Sequence, residues 1–323
     1  MIVINISNVR IGIDVSDEVK LIDALYKTFP RRYLPSFGII RSDIECCNDL
    51  DAYIKWQLSN KFLVNELSIS DKIDMYIISS PIPQPYIAEE PVFFLLQVIA
   101  RALAKKGYIV MTDAISLYVG NKAILFIGYP HTGKSTISAI ALARGYIPLS
   151  TENTIIEVDE SAARIISGSS VLVYDPRIEE IYGINLKYDE LTKHGYRVID
   201  LDKHYPERTS ILERRPVIDS IYLLHCSYNS VGFSYEEVKG RKIKKLLWHF
   251  SSALVRGLDY YNPYPLSLSD HVVDTKLSTS LDRLAAIYTG KFYEVYGKHD
   301  NVLDAVIRKI GSVEDHHDIS TCN

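Results

Sequence analysis

The chain has 323 residues, enough for two domains and at least one large apolar core. With 47% hydrophobic and 24% charged residues and a net charge of −4, it has the make-up of a globular protein and gives no expectation of a nucleic-acid or membrane partner. No apolar run approaches the ~20 residues of a membrane span, and the N-terminus lacks the charged region and small-residue cleavage site of a signal peptide.

In chain order, residues 2–6 and 9–13 alternate as a hairpin-like pair of strands. An amphipathic helix is expected over 17–28, with Val19, Ile22, Leu25 and Tyr26 on its apolar face. Strands follow at 61–68 and 73–79, and the proline-rich stretch 80–85 reads as a linker. Residues 1–88 are therefore expected to form a small α/β domain. From 89 to 106 the period is helical, with Gly107 as its stop. Strands at 108–112, 114–119 and 122–127 lead to a glycine-rich loop, and a helix over 136–144 ends at Gly145. Further β-rich pieces lie at 146–150, 154–158, 164–166, 171–173, 196–201 and 217–224. Long amphipathic stretches at 235–258 and 269–289 and a helix at 301–310, closed by Gly311, complete a second domain over 89–311. The tail 312–323 reads as disordered, and no internal repeat is visible.

The glycine-rich loop is Gly128-Tyr129-Pro130-His131-Thr132-Gly133-Lys134-Ser135-Thr136, which matches G-x-x-x-x-G-K-[ST] between an apolar strand and a helix. A chance match in a chain of this length is roughly a one-in-a-hundred event. In such a loop, free backbone N–H groups and the helix dipole converge on phosphates and a lysine adds a mobile cation. Gly128, His131, Thr132, Gly133, Lys134, Ser135 and Thr136 are thus candidate ligands of a nucleoside triphosphate such as ATP. The Ser135 hydroxyl is placed for Mg²⁺. The first acidic residue after the loop helix is Glu152, at the end of the next strand, and Asp113 precedes the hairpin that feeds the loop.

Two further features accompany the loop. The hairpin 114–119/122–127 directly precedes it, and Ala143-Arg144-Gly145-Tyr146-Ile147-Pro148-Leu149-Ser150 follows its helix without a gap. With these, residues 90–225 resemble the HPr kinase/phosphorylase family and its HprK-like relatives, which share a core with phosphoenolpyruvate carboxykinases. The resemblance implies an HprK-like P-loop domain with a mixed sheet, behind the small N-terminal α/β domain. It also implies an ATP-dependent, Mg²⁺-requiring kinase that phosphorylates a hydroxyl of a small metabolite or a protein serine, in a homo-oligomer of unspecified size. Where the family carries paired aspartates, the first its proposed base, this chain has Thr151 and Glu152. Where the family has a histidine, it has Asp113 or Thr112. Glu152 is the candidate base and Mg²⁺ ligand, Lys134 the phosphate cation and Asp113 a second carboxylate. Glu180-Ile181-Tyr182-Gly183 matches the family's Glu-x-Arg-Gly stretch without its arginine. The alternative is a nucleotide-binding regulatory protein on a degenerate, transfer-inactive kinase core. A nucleotide hydrolase is a third reading, for which no distal acidic strand is evident.

Other residues carry plainer readings. Lys239, Arg241, Lys242, Lys244 and Lys245 alternate with apolar residues, as on the solvated face of a packed helix. Arg214 and Arg215 flank a strand, and His225-Cys226 lacks further metal ligands. His316 and His317 lie in the tail. Cys46, Cys47, Cys226 and Cys322 lack the spacing of a disulfide framework and read as reduced thiols, as expected in a cytoplasm.

Overall fold

The computed structural model describes residues 1–42, 49–259 and 266–314, so Cys46, Cys47, Cys322, His316 and His317 lie outside the described residues. The protein is α/β with mixed sheets. Its first six-stranded sheet is built from β1 (Ile2–Ile6), β2 (Val9–Val15), β3 (Gly38–Arg41), β4 (Ala52–Leu58), β5 (Leu63–Ser68) and β6 (Asp74–Ser80). Helices α1 (Glu18–Leu25) and α2 (Thr28–Tyr33) connect β2 to β3, and α3 (Glu90–Lys105) leaves the sheet. Strand β7 (Ile109–Met111) then precedes the hairpin β8 (Ala114–Val119) and β9 (Lys122–Ile127), and α4 (Lys134–Ala143) leads to β10 (Ile147–Ser150). Next come β11 (Thr154–Val158), β12 (Ala163–Gly168), β13 (Val171–Tyr174), α5 (Arg177–Tyr182), β14 (Glu190–Leu191) and β15 (Arg197–Asp200). The chain closes with α6 (Leu201–His204), α7 (Glu207–Glu213), β16 (Ile218–Cys226), β17 (Ser234–Glu237), α8 (Arg241–Ser252), α9 (His271–Ile287), β18 (Phe292–Gly297) and α10 (His299–Glu314).

The two large sheets share one topology. The first has the strand order β3-β1-β2-β4-β6-β5 and the second β10-β8-β9-β16-β18-β17. In each, a leading hairpin is flanked by an antiparallel strand, and two parallel strands follow before an antiparallel edge. The expectation of no internal repeat holds for the sequence but not for the fold. Strand pairing depends on the alternation of apolar residues, which many sequences satisfy equally. Three-stranded sheets β12-β11-β7 and β13-β15-β14 are added around the second copy.

Helices α4 and α10 cover one face of the second sheet, whose other face joins an apolar core that runs through α3 to the first sheet. Arg101 of α3 fixes that junction. Its side chain is 0% exposed and reaches Asp74 of β6, itself 1% exposed, at 2.9 Å and Asp270, the N-cap of α9, at 2.7 Å.

Several local expectations change. In α1 the buried residues are Leu21, Ala24 and Leu25, whereas Val19 and Tyr26 are exposed; the helix is only two turns long and lays the Leu21–Leu25 ridge on β2. The loop helix starts at Lys134, two residues earlier than expected. The stretch 235–258 divides into an edge strand, β17, and α8, because Gly240 (φ +58°) turns the chain between them. Gly311 does not stop the last helix, which continues to Glu314; the Gly penalty of ~1 kcal/mol is small for a helix docked on a sheet. No helix of the described residues is long and apolar enough to cross a membrane.

Arg101→Ala would remove the closest partner of the buried Asp74 carboxylate and leave it Lys105 at 3.4 Å and the Ser70 N–H at 3.0 Å. A stability loss of about 2–3 kcal/mol is expected in urea unfolding, and a loss below about 1 kcal/mol would show that Lys105 or solvent replaces Arg101.

Candidate functional site

The site grows from the carboxyl end of β9, where the buried run Ala123–Ile127 stops at Gly128. A Cβ on Gly128 would lie 2.4 Å from Thr132 Oγ1, so the turn closes only around glycine. Thr132 Oγ1 donates to the Tyr129 carbonyl at 2.8 Å and locks the turn. The Tyr129 ring packs 5.2 Å from both His249 and Phe250 of α8. His131 (φ +66°) and Gly133 (φ +98°) are left-handed, which brings the chain into α4.

The start of α4 differs from its counterpart in the first sheet. There, Asp17 caps α1 by accepting from Lys20 N at 3.1 Å. Here the cap is Gly133, which has no side chain to offer, so among the described residues no side chain caps the first N–H groups of α4. Beside them opens a cavity of about 660 Å³ that His131, Gly133, Lys134, Ser135 and Thr136 line. Gly128 and Thr132 do not line it; they build the turn. The loop residues that remain thus meet the geometric needs of a phosphate chain: donors, space and a cation.

Lys134 is buried, donates to the Gly128 carbonyl and, at 2.9 Å, to that of Tyr129, and lies 3.0 Å from Asp113 Oδ1. The backbone ties the carboxylates to the loop. Gly128 N donates to the Asp113 carbonyl at 3.2 Å, and Ala114 N donates to the Glu152 carbonyl at 2.9 Å. Both Asp113 and Glu152 line the cavity and both are buried. Burial pushes the Asp113 carboxyl up to about 6, against the pull of Lys134 and with a further push from Glu152. Thr151, which the resemblance would align with a family aspartate, is directed elsewhere. Its hydroxyl donates to the Val171 carbonyl at 2.9 Å, and it is not among the lining residues.

The opposite wall was not legible in the sequence. Arg32 and Tyr33, at the end of α2, line the cavity with Asp175, Arg177, Tyr228 and His299. Asn153, next to Glu152, donates to the Tyr33 carbonyl at 2.8 Å, and Arg31 pairs with Asp200 and Asp202. Buried Arg208 ties Asp202 to the carbonyls of Leu149 and Gly168. These contacts carry a piece of the first unit to the loop of the second. No local motif signals residues so far from the loop in sequence.

The remaining candidates lie elsewhere. Strand β16, parallel to β9, ends at the cavity with Cys226, whose thiol burial pushes up to about 12, and Ser227, so this strand end carries no carboxylate. His225 pairs with Glu294 at 2.9 Å and stacks on Tyr296. Among the described residues no cluster of three His, Cys, Asp or Glu side chains could hold a metal. Lys242 pairs with Glu294 and Lys244 with Asp282 on α8, whose Ile243, Leu247 and Phe250 are buried, as on a solvated face. Arg215 pairs with Glu157 at 3.0 Å, away from the cavity. Of the Glu180–Gly183 match, Tyr182 reaches His299 at 2.7 Å, while Glu180 is exposed. No protein-family model and no curated protein matches this chain.

The Asp113 carboxyl lies above its ordinary value of 3.8, so its ionisation disfavours the folded state. Stability should therefore fall between pH 4 and about 6.5 by on the order of 2–3 kcal/mol relative to Asp113→Asn. Urea unfolding of both proteins across this range checks it; a constant difference would show that Asp113 is solvated.

Proposed function

We propose that the protein is an ATP-dependent kinase of the HprK-like type, passing the γ-phosphoryl group to a hydroxyl of a small metabolite or a protein serine. One observation carries this reading. The two carboxylates, Asp113 and Glu152, share a single cavity with Lys134, Ser135 and the uncapped start of α4. Phosphoryl transfer asks a protein mainly to position groups and neutralise charge.

In this reading the N–H groups of residues 133–136 hold the phosphates. Lys134 exchanges the Gly128 and Tyr129 carbonyls for phosphate oxygens, keeping its ion pair with Asp113. The Ser135 hydroxyl and the Glu152 carboxylate are the groups that would hold Mg²⁺, which neutralises phosphate charge when bound. Glu152 receives the proton of the acceptor hydroxyl as the new P–O bond forms and the bond to the departing nucleoside diphosphate breaks. Asp113, with its carboxyl raised toward neutrality, is the second candidate for that proton. The acceptor would enter past Arg32, Tyr33 and Arg177, which line the remaining wall.

A second reading, a nucleotide-binding regulator without transfer activity, is favoured by Thr151, whose hydroxyl is committed to the backbone. The hydrolase reading loses support because the strand beside β9 ends in Cys226 and Ser227.

Lys134→Ala should weaken Mg²⁺·ATP binding by about 10- to 100-fold in isothermal titration. Unchanged affinity would remove the phosphate-cradle assignment. Glu152→Gln should lower transfer to hydroxyl-bearing metabolites, followed with labelled ATP, by about 100-fold or more while ATP affinity stays within about threefold. Full activity in that variant rules Glu152 out as the base, and no transfer by the unmodified protein to small molecules or proteins selects the regulatory reading.

A further inference from the structure

We propose that His299 is a phosphate-binding residue of this site, its Nε2–H donating to a phosphate oxygen seated in the loop. The proposal rests on the nucleotide-binding reading above and adds to it a ligand that lies outside the loop motif, 165 positions beyond Lys134.

Topology delivers the residue. Strands β9, β16 and β18 run parallel side by side, so their carboxyl ends share one edge, the edge where open α/β sheets bind ligands. The loop leaves the first of these ends, Cys226 and Ser227 the second, and His299 the third, two residues after β18. At the matching place in the first sheet, two residues after β6, stands Ile82, which has no side-chain donor.

The imidazole fits the loop closely. It is 2% exposed, lines the cavity and occupies the space that a side chain on Gly133 would need: a Cβ there would lie 2.5 Å from Nε2 and 2.6 Å from Cδ2. The absence of a side chain at Gly133 thus admits the ring edge to the loop. The other ring nitrogen, Nδ1, is 2.7 Å from the Tyr182 hydroxyl. The Tyr182 oxygen also accepts from the His299 backbone N–H, a contact that uses a lone pair and leaves its single proton for Nδ1. With Nδ1 accepting, the ring proton sits on Nε2, the nitrogen at Gly133. Burial holds the imidazole neutral, lowering its pKa to about 4, and burial likewise raises the Tyr182 phenol, so neither partner becomes an ion at neutral pH. The flanking Lys298 and Asp300 act on the ring in opposite senses. A neutral donor fits beside Lys134: it adds a hydrogen bond to the phosphate without placing a second cation against the first.

The test uses the full chain. Long-range ¹H–¹⁵N spectra of the unmodified protein should show His299 as the Nε2–H tautomer, with its Nε2 resonance shifting when Mg²⁺·ATP, or pyrophosphate alone, is added. By titration calorimetry His299→Ala should weaken both ligands about tenfold, the value of one hydrogen bond to a charged group, with thermal melts checking that it folds. His299→Gln, whose amide N–H can take the place of Nε2–H, should stay within about threefold of the unmodified protein. Equal losses in Ala and Gln variants, with an Nε2 signal that ignores both ligands, would make the ring a packing prop and overturn the proposal. The proposal alone also fails if Lys134→Ala abolishes binding and His299→Ala leaves it unchanged. If the unmodified protein binds neither ligand, the nucleotide-binding reading fails and the proposal with it.

Discussion

Gly133 holds a left-handed backbone at a point where no side chain fits, with His299 and the Cys226 Cβ filling the space on its open side. Three features of the site follow from that one constraint. The chain can pass from the Gly128 turn into α4, the helix begins with a residue that cannot cap it, and strands β16 and β18 can bring their ends against the loop. An L-residue at this position would carry a backbone penalty and a steric clash together, because the contacting atoms belong to a buried ring and a strand end.

The repeated sheet topology shows what that constraint adds. Both sheets place a helix after the second strand of the leading hairpin, and both set two parallel strands beside it. In the first sheet Asp17 satisfies the helix start within its own turn, and the unit contributes a wall rather than a cradle. In the second, Gly133 supplies no cap and the first N–H groups of α4 face the cavity that the loop residues line. The difference between scaffold and site lies in one connection, not in the architecture.

Electrostatics at the cavity are set by burial. Lys134 and Asp113 are both buried and 3.0 Å apart, yet burial still drives the carboxyl up toward neutrality, so the pair is held by the fold rather than holding it. The well-satisfied ion networks lie around the cavity instead. Arg101 ties β6 of the first sheet to the start of α9, and Arg31 and Arg208 fasten residues 31–36 to the strand ends near Glu152. Rigid supports around a strained and incompletely satisfied centre are the distribution expected of a functional site.

Much of this was legible in the sequence wherever the signal is local. The strand–loop–helix around Lys134 and the hairpin before it are written in short apolar runs and glycines, and the carboxylates at 113 and 152 follow from the strand ends they close. Strand β17, at the sheet edge and read as helix, and its inner neighbour β18, absent from the reading, were lost because amphipathic stretches fit both periods when short. The sequence by itself determined the strand–glycine loop–helix around Lys134, since each of its requirements is met by residues within nine positions of one another. Only the tertiary structure decided what faces that loop. Strand order at the parallel edge and buried ion pairs bring Arg32, Tyr33, Tyr228 and His299 to one cavity, and contacts between such distant residues leave no local pattern to read.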